Sequence, residues 1–336
     1  MIQYYIKKLK FQELGSPKPD GTVSRGRYML ISKKNEGFFP PLTTTELNDA
    51  ILLPIIPPEL NEKVYCTFVY HNDKYHGSLA KQPRDEFRLY MNNQIDPNRS
   101  YFKPDNIIVF QKFQTEDLTN LYKMNLFNAD SEHYNFLNTI VEESELRGGH
   151  VVYENELDFI DPNQVDLENL ETVIPEEVKK EADKRQKQAK EDEKSELEKT
   201  KGANLFNSVS FRDFVLLGYQ NKCAVTGESI FYKKLINLEA AHIKPKSHSG
   251  SFLPCNGIAM SRDIHWAFDR GMFTIDENYC VKVHEDVKDT LLGDYDKKKI
   301  NIPLEDFFKP EKSFLDYHKK NIFGLFKYAG VMRSTN

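Results

Sequence analysis

Three polar side chains stand out by type and order: His242, Asn256 and His265, with Asp269 four residues beyond the last. An imidazole that is neutral near pH 7 can take a proton from water. A histidine and a carboxylate at i and i+4 of a helix share one face, and that pair suits a divalent cation such as Mg2+ or Mn2+. A base-activated water beside a bound cation is hydrolytic machinery. Each residue alone has a plainer reading. A histidine at a strand end is most often structural, Asn256-Gly257 is most simply a turn, and Asp269 can cap its helix or pair with Arg270. The joint spacing carries the chemical reading.

The elements that must hold these groups are legible around them. The run Leu235 to Ile243, which contains Glu239, Ala240 and Ala241, reads as a strand and holds an imidazole more rigidly than a loop does. Ser261 to Asp269 reads as a helix, with Ile264 and Phe268 as core residues.

Four motifs occur in order: Cys-Ala-Val-Thr-Gly from Cys223, Leu-Glu-Ala-Ala-His-Ile from Leu238, Asn-Gly-Ile from Asn256, and Ile-His-Trp-Ala-Phe-Asp-Arg-Gly from Ile264. Together they resemble the HNH nuclease family. The resemblance implies a ββα-metal core that cuts nucleic acid with one divalent cation, Mg2+ foremost, with Mn2+ the other candidate. By the same resemblance His242 is the general base, Asn256 braces the loop and orients that base, and His265 is a metal ligand. Lys244 and Lys246, just after His242, are expected to meet DNA. The helix-like stretch Phe211 to Tyr219, the segment Ile300-Asn301-Ile302-Pro303 and the run Leu315-Asp316-Tyr317-His318 extend the resemblance over roughly 205–326.

Two positions depart from the family pattern. Many relatives carry an acidic residue or histidine just before the base, whereas this chain has Ala241, so Asp269 becomes the expected second ligand. Many also carry paired Cys-x-x-Cys knuckles. Cys66, Cys223, Cys255 and Cys280 have no such spacing, so no structural zinc is expected. Four scattered cysteines suit reduced thiols in a cytosol. No signal-peptide pattern is evident and no apolar run approaches ~18 residues, so a cytoplasmic protein without a membrane span is expected.

The mildly acidic total, −5, conceals strong local differences. Residues 1–112 carry 16 basic and 12 acidic side chains, residues 113–178 carry 2 and 16, and residues 179–336 carry 28 and 23. Two basic lobes therefore flank an acidic segment, and a phosphate responds to the local field. The acidic segment is expected to be solvated and peripheral, largely helical. Residues 176–201 hold 18 charged side chains of 26 with no heptad seam, which predicts a solvated helix ended by Gly202. Such a helix is a passive spacer or a ruler of about 39 Å between recognition and cutting.

Short aromatic or β-branched runs, 27–32, 64–70, 86–90 and 106–110, are separated by Pro, Gly and Asn and predict an N-terminal barrel or sandwich. Phe38-Phe39-Pro40, the strand from Arg84 to Leu89 and the turn Phe102-Lys103-Pro104-Asp105 resemble the pseudobarrel of the EcoRII effector-domain type. That resemblance implies two arms clasping a DNA major groove, near Ser24 to Arg27 and near Arg84 to Asn93. Arg25, Arg27, Arg84, Arg88 and Asn92 are the candidate DNA contacts, since Arg matches guanine edges and Asn adenine edges. Arg88 is the poorer candidate for base reading because Glu86 offers it a surface pair.

The expected fold class is α+β. A recognition pseudobarrel with an acidic extension occupies 1–150, a charged helical linker 151–202, and a ββα-metal HNH domain 203–336. The expected function is a restriction-type endonuclease of double-stranded DNA. Cutting both strands is compatible with a homodimer. Dependence on a modified cytosine, extruded into the barrel, is the alternative, and a catalytically inactive DNA-binding regulator is the second.

Overall fold

A computed structural model describes residues 3–15, 27–33, 37–73, 82–115, 119–144, 149–161, 165–166, 169–192, 204–233 and 235–328. The chain divides into two compact units, residues 1–181 with 188–207, and residues 182–187 with 208–336.

The first unit contains β1 (Tyr4–Lys8), α1 (Phe11–Leu14), β2 (Tyr28–Ile31), β3 (Ala50–Ile56), β4 (Glu62–His71), β5 (Glu86–Tyr90), β6 (Ile107–Gln114), β7 (Asn120–Phe127), α2 (Tyr134–Glu143), β8 (His150–Tyr153) and β9 (Glu171–Val173). The strands form one barrel-like sheet in the order β2-β5-β4-β3-β7-β6-β1-β8, with β9 paired to β4. Pairing is antiparallel except between β3 and β7 and between β4 and β9.

Strand alternation builds two apolar layers from the same strands. Tyr5 of β1 and Ile108 and Phe110 of β6 face a barrel interior with Phe38, Phe39, Phe68 and Tyr122. Their neighbours Tyr4, Ile6, Ile107 and Val109 face the opposite way and pack with Leu137 and Val141 of α2. At the barrel mouth, buried Lys7 pairs with buried Glu13 at 2.9 Å, and the Glu13 carboxylate accepts the Leu30 and Lys10 amides. That carboxylate ties α1 to β1 and β2.

The sheet runs past the expected boundary at residue 150. β8 pairs with β1, β9 pairs with β4, and Leu157 and Ile160 are core residues. The acidic segment therefore supplies strands as well as α2. β7 itself reads Asn-Leu-Tyr-Lys-Met-Asn-Leu-Phe without a carboxylate, while α2 ends in Glu142-Glu143 and β9 opens on Glu171. The charged helix α3 (Glu176–Asp192) covers the first part of its expected span, and the rest, with Gly202, lies outside the described residues.

The second unit holds α4 (Ser208–Gly218), the hairpin β10 (Phe231–Tyr232) and β11 (Leu235–Ile236), β12 (Leu238–His242), β13 (Gly257–Ser261), α5 (Arg262–Asp269), β14 (Phe273–Ile275), β15 (Val281–Val283) and α6 (Lys312–Asn321). β12 and β13 are antiparallel, with His242 opposite Gly257, and α5 starts directly after β13. This is a ββα unit, and α4 packs across both of its strands. Residue 257 shows why a glycine is needed. Its backbone is extended, and an added Cβ would lie 2.3 Å from Val215 Cγ2 and 2.9 Å from the Phe211 ring. The Asn-Gly pair is thus no simple turn, because the glycine lets α4 approach the strand. Buried His318 fixes α6: its Nε2 donates to the Phe268 carbonyl, Thr274 Oγ1 bonds its Nδ1, and its ring stacks on Phe268 at 3.8 Å.

Candidate active site of the ββα unit

His242 closes β12 with its ring stacked on Phe211 at 4.1 Å and edge-on to Phe252 at 5.3 Å. Its Nε2 is buried and makes no hydrogen bond among the described residues. Burial drives its pKa down to about 4, against the attraction of Asp269 and with help from His265 and Lys246. The imidazole is consequently neutral at physiological pH, with its Nε2 buried and without a hydrogen-bond partner among the described residues. That is the protonation state a general base needs.

Asn256 is fully buried just before β13. Its Oδ1 accepts the Lys244 amide at 2.9 Å, and its Nδ2 donates to the Lys244 and Ser251 carbonyls at 3.1 and 2.9 Å. Its own carbonyl accepts the Ile243 amide. Asn256 therefore braces the loop after His242 through the backbone. Lys244 and Lys246 lie in that loop, Lys244 Nζ 4.9 Å from the Tyr317 ring centre and Lys246 Nζ 5.0 Å from that of Phe252.

On α5, His265 and Asp269 meet as their spacing predicts, His265 Nε2 lying 3.3 Å from Asp269 Oδ2. Arg270 does not take Asp269, since its guanidinium lies over Trp266 instead. The other imidazole nitrogen, Nδ1, is 2.8 Å from Glu239 Oε2, and Glu239 Oε1 is 3.3 Å from Arg262 Nε. Burial lowers the His265 pKa, but Asp269 and then Glu239 outweigh it and leave it raised.

This donor set fits a divalent cation. Two ligands about 2.1 Å from one ion at right angles lie about 3 Å apart, close to the observed His–Asp separation. A metal-bound imidazole ordinarily gives its second N–H to a carboxylate, the place Glu239 holds. Among the described residues no group of three or more His, Cys, Asp or Glu is arranged to hold a metal. Among the described residues the His265–Asp269 pair would supply two ligands, and waters or phosphate oxygens would have to complete the set.

The candidate DNA contacts of the first unit are placed otherwise. Arg27 is buried and paired with fully buried Asp96, whose second oxygen accepts the Tyr101 amide at 2.8 Å. Asn92 spends its carboxamide on the Gln94 and Ile95 amides, the Tyr65 carbonyl and Cys66 Sγ. Both are expected DNA contacts, and both side chains are engaged in the loop between β5 and β6. Arg84 pairs with Asp73, and Arg88 pairs with Glu86 beneath the Tyr28 ring at 3.9 Å. Arg25 lies outside the described residues. Sequence reasoning passed over Glu239, Phe211, Phe252 and Gly257. Glu239 had one usable signal, a carboxylate on the strand that ends in the candidate base.

A two-stranded hairpin followed by a helix, with a neutral histidine on the strand and a His–Asp pair on the helix, is the layout of a metal-assisted nuclease. Residues 223–276 match the HNH endonuclease family, and the chain carries an HNH endonuclease segment. HNH endonucleases generally use a divalent metal. Three solved structures are similar to the chain. The N-terminal domain of Helicobacter pylori LlaJI.R1 is 18% identical over 46% of this chain and 99% of that one, with a TM-score of 0.27. The B3 domain of the UbaLAI restriction endonuclease, solved with cognate DNA, is 16% identical over 45% and 86%, with a TM-score of 0.26. The modification-dependent restriction endonuclease TagI is 11% identical over 86% and 95%, with a TM-score of 0.30. At those scores the likenesses assign no residue here. No curated protein matches the chain. No helix among the described residues is long and apolar enough to cross a membrane.

Proposed function

We propose that the chain is a restriction-type endonuclease of double-stranded DNA, with Mg2+ as its working cation. The observation that carries this reading is the neutral His242 imidazole, its buried Nε2 without a hydrogen-bond partner among the described residues, in the unit that holds the His265–Asp269 pair. In this reading Nε2 of His242 takes a proton from the attacking water, and Phe211 and Phe252 fix the plane of the ring. His265 Nε2 and Asp269 Oδ2 hold the cation. When bound, that cation stabilises charge on the scissile phosphate and its leaving oxygen. Glu239 accepts a hydrogen bond from the Nδ1–H of His265, which fixes the tautomer whose Nε2 lone pair is free for the metal. Lys244 and Lys246 offer positive charge to the phosphates beside the base.

The barrel-like sheet of the first unit, net basic over residues 1–112 and net acidic beyond them, is proposed to recognise the DNA. Arg84 and Arg88 on or beside β5 and Arg25 remain its candidate contacts. Digestion of methylated and unmethylated plasmid with Mg2+ or Mn2+, followed by end mapping, tests this reading. Discrete fragments that disappear with EDTA are expected. A requirement for the methylated plasmid would select the modified-cytosine variant. No cutting of either plasmid with any divalent ion would overturn the enzymatic assignment.

A further inference from the structure

The chain has a single tryptophan, Trp266, and its side chain is 51% exposed on α5. The inward side of this helix is filled by Ile264, Ala267 and Phe268, so the core leaves Trp266 out. Arg262, Trp266 and Arg270 recur every four residues and form one stripe along the helix. The Arg262 side chain is 73% exposed, with its Nε 3.3 Å from Glu239. The Arg270 guanidinium carbon lies 4.3 Å from the indole centre, and Nη1 donates to the Trp266 carbonyl at 3.3 Å. Asp269 lies about 60° and His265 about 100° around the helix from Trp266. The stripe thus borders the proposed cation ligands on the outward face of the same helix.

From this placement, and resting on the endonuclease reading above, we infer that Arg262, Trp266 and Arg270 form a contact strip for the cut DNA strand. Trp266 packs on the nucleotide adjoining the scissile phosphate, while Arg262 and Arg270 meet the phosphates on either side. Charge complementarity selects nucleic acid as the occupant. Two guanidinium groups bracket a flat apolar surface; of the carboxylates nearby, Glu239 and Asp269 are engaged with His265, and Asp263 with the Ser261 hydroxyl and helix amides. A stacked aromatic with flanking arginines holds a nucleotide by its face and its charge, without reading an edge. The strip therefore adds affinity and registers the scissile bond over His242 and His265, and sequence choice is left elsewhere.

A lone tryptophan makes the test direct. Full-length His242→Ala protein in Mg2+ is titrated with labelled duplex, binding is followed by anisotropy, and Trp266 by emission and acrylamide quenching. Saturating DNA should shift the emission and lower the quenching constant severalfold. Trp266→Ala should weaken binding about tenfold, with Trp266→Phe recovering most of the loss. Arg270→Gln should reduce the salt dependence of binding by about one phosphate contact and leave preference among duplexes unchanged. DNA that binds by anisotropy while emission and quenching stay constant overturns the strip and spares the endonuclease reading. Wild-type affinity in Trp266→Ala does the same. Absence of binding to any duplex overturns both.

Discussion

Replacing Gly257 with alanine tests whether the base is held by close packing of a helix on its strand. Gly257 is the register partner of His242, and a new Cβ there falls 2.3 Å from Val215 Cγ2 and 2.9 Å from Phe211. Carbon atoms in contact sit about 3.5–4.0 Å apart, so Val215 or α4 must retreat by about 1 Å. Phe211 stacks on the His242 ring and moves with α4. Overpacking of this kind costs about 1–3 kcal/mol of stability, and a displacement of about 1 Å at a reacting group costs about 100-fold in rate. Single-turnover cleavage in saturating metal should fall by about that factor, while calorimetric metal affinity, proposed to rest on His265 and Asp269, stays near wild type. Val215→Ala in the same chain removes the clashing methyl and should restore most of the rate. A Gly257→Ala protein that folds and cuts within twofold of wild type would refute the packing argument.

Three further outcomes are expected. Glu239→Gln should weaken metal affinity about 10- to 100-fold by calorimetry, as loss of an outer carboxylate partner does; unchanged affinity would make the Glu239–His265 bond merely structural. For His242, whose pKa is lowered in the folded state from 6.5 to about 4, the neutral form persists as pH falls below 6.5. The acid limb of the cleavage profile should lie nearer pH 4 than 6.5, and the folding stability this histidine contributes should be complete above 6.5 and lost as pH falls towards 4; an acid limb at 6.5 would mean a solvated base. Arg27→Ala should destabilise the first unit by about 3–5 kcal/mol in chemical denaturation, because it strands the buried Asp96 carboxylate; a stable variant with relaxed sequence preference would return Arg27 to the recognition surface.

Much of the catalytic unit is legible in the sequence because its signals are local. The His265–Asp269 pair follows from helical spacing, and α5 falls on the expected helix. Helix α4 stands where the resemblance placed an entry helix, and the strand expected over 235–243 divides at Asn237 into β11 and β12. The Glu239–His265 bond spans 26 residues between a strand and a helix, and spacing alone cannot fix such a contact. Gly257 looked like a turn because the residue it packs against, Val215, arrives from an element 42 residues earlier. In the first unit the short aromatic strands were readable, whereas β3 was hidden by Pro54 in its interior. β7, β8 and β9 were hidden by the acidic composition around them. The engagement of Arg27 and Asn92 within the fold was not legible for a different reason. Donor chemistry suited to a base edge is equally suited to a buried loop, and residue type does not report burial.

The central claim is that His242 is the base of an HNH endonuclease, and cleavage and binding measured together on His242→Ala test it most directly. The account predicts a fall in single-turnover cleavage by a factor of about 100 to 10,000, with duplex affinity within about twofold of wild type because the lost group activates water and anchors no phosphate. Cutting that persists within tenfold of wild type would contradict it.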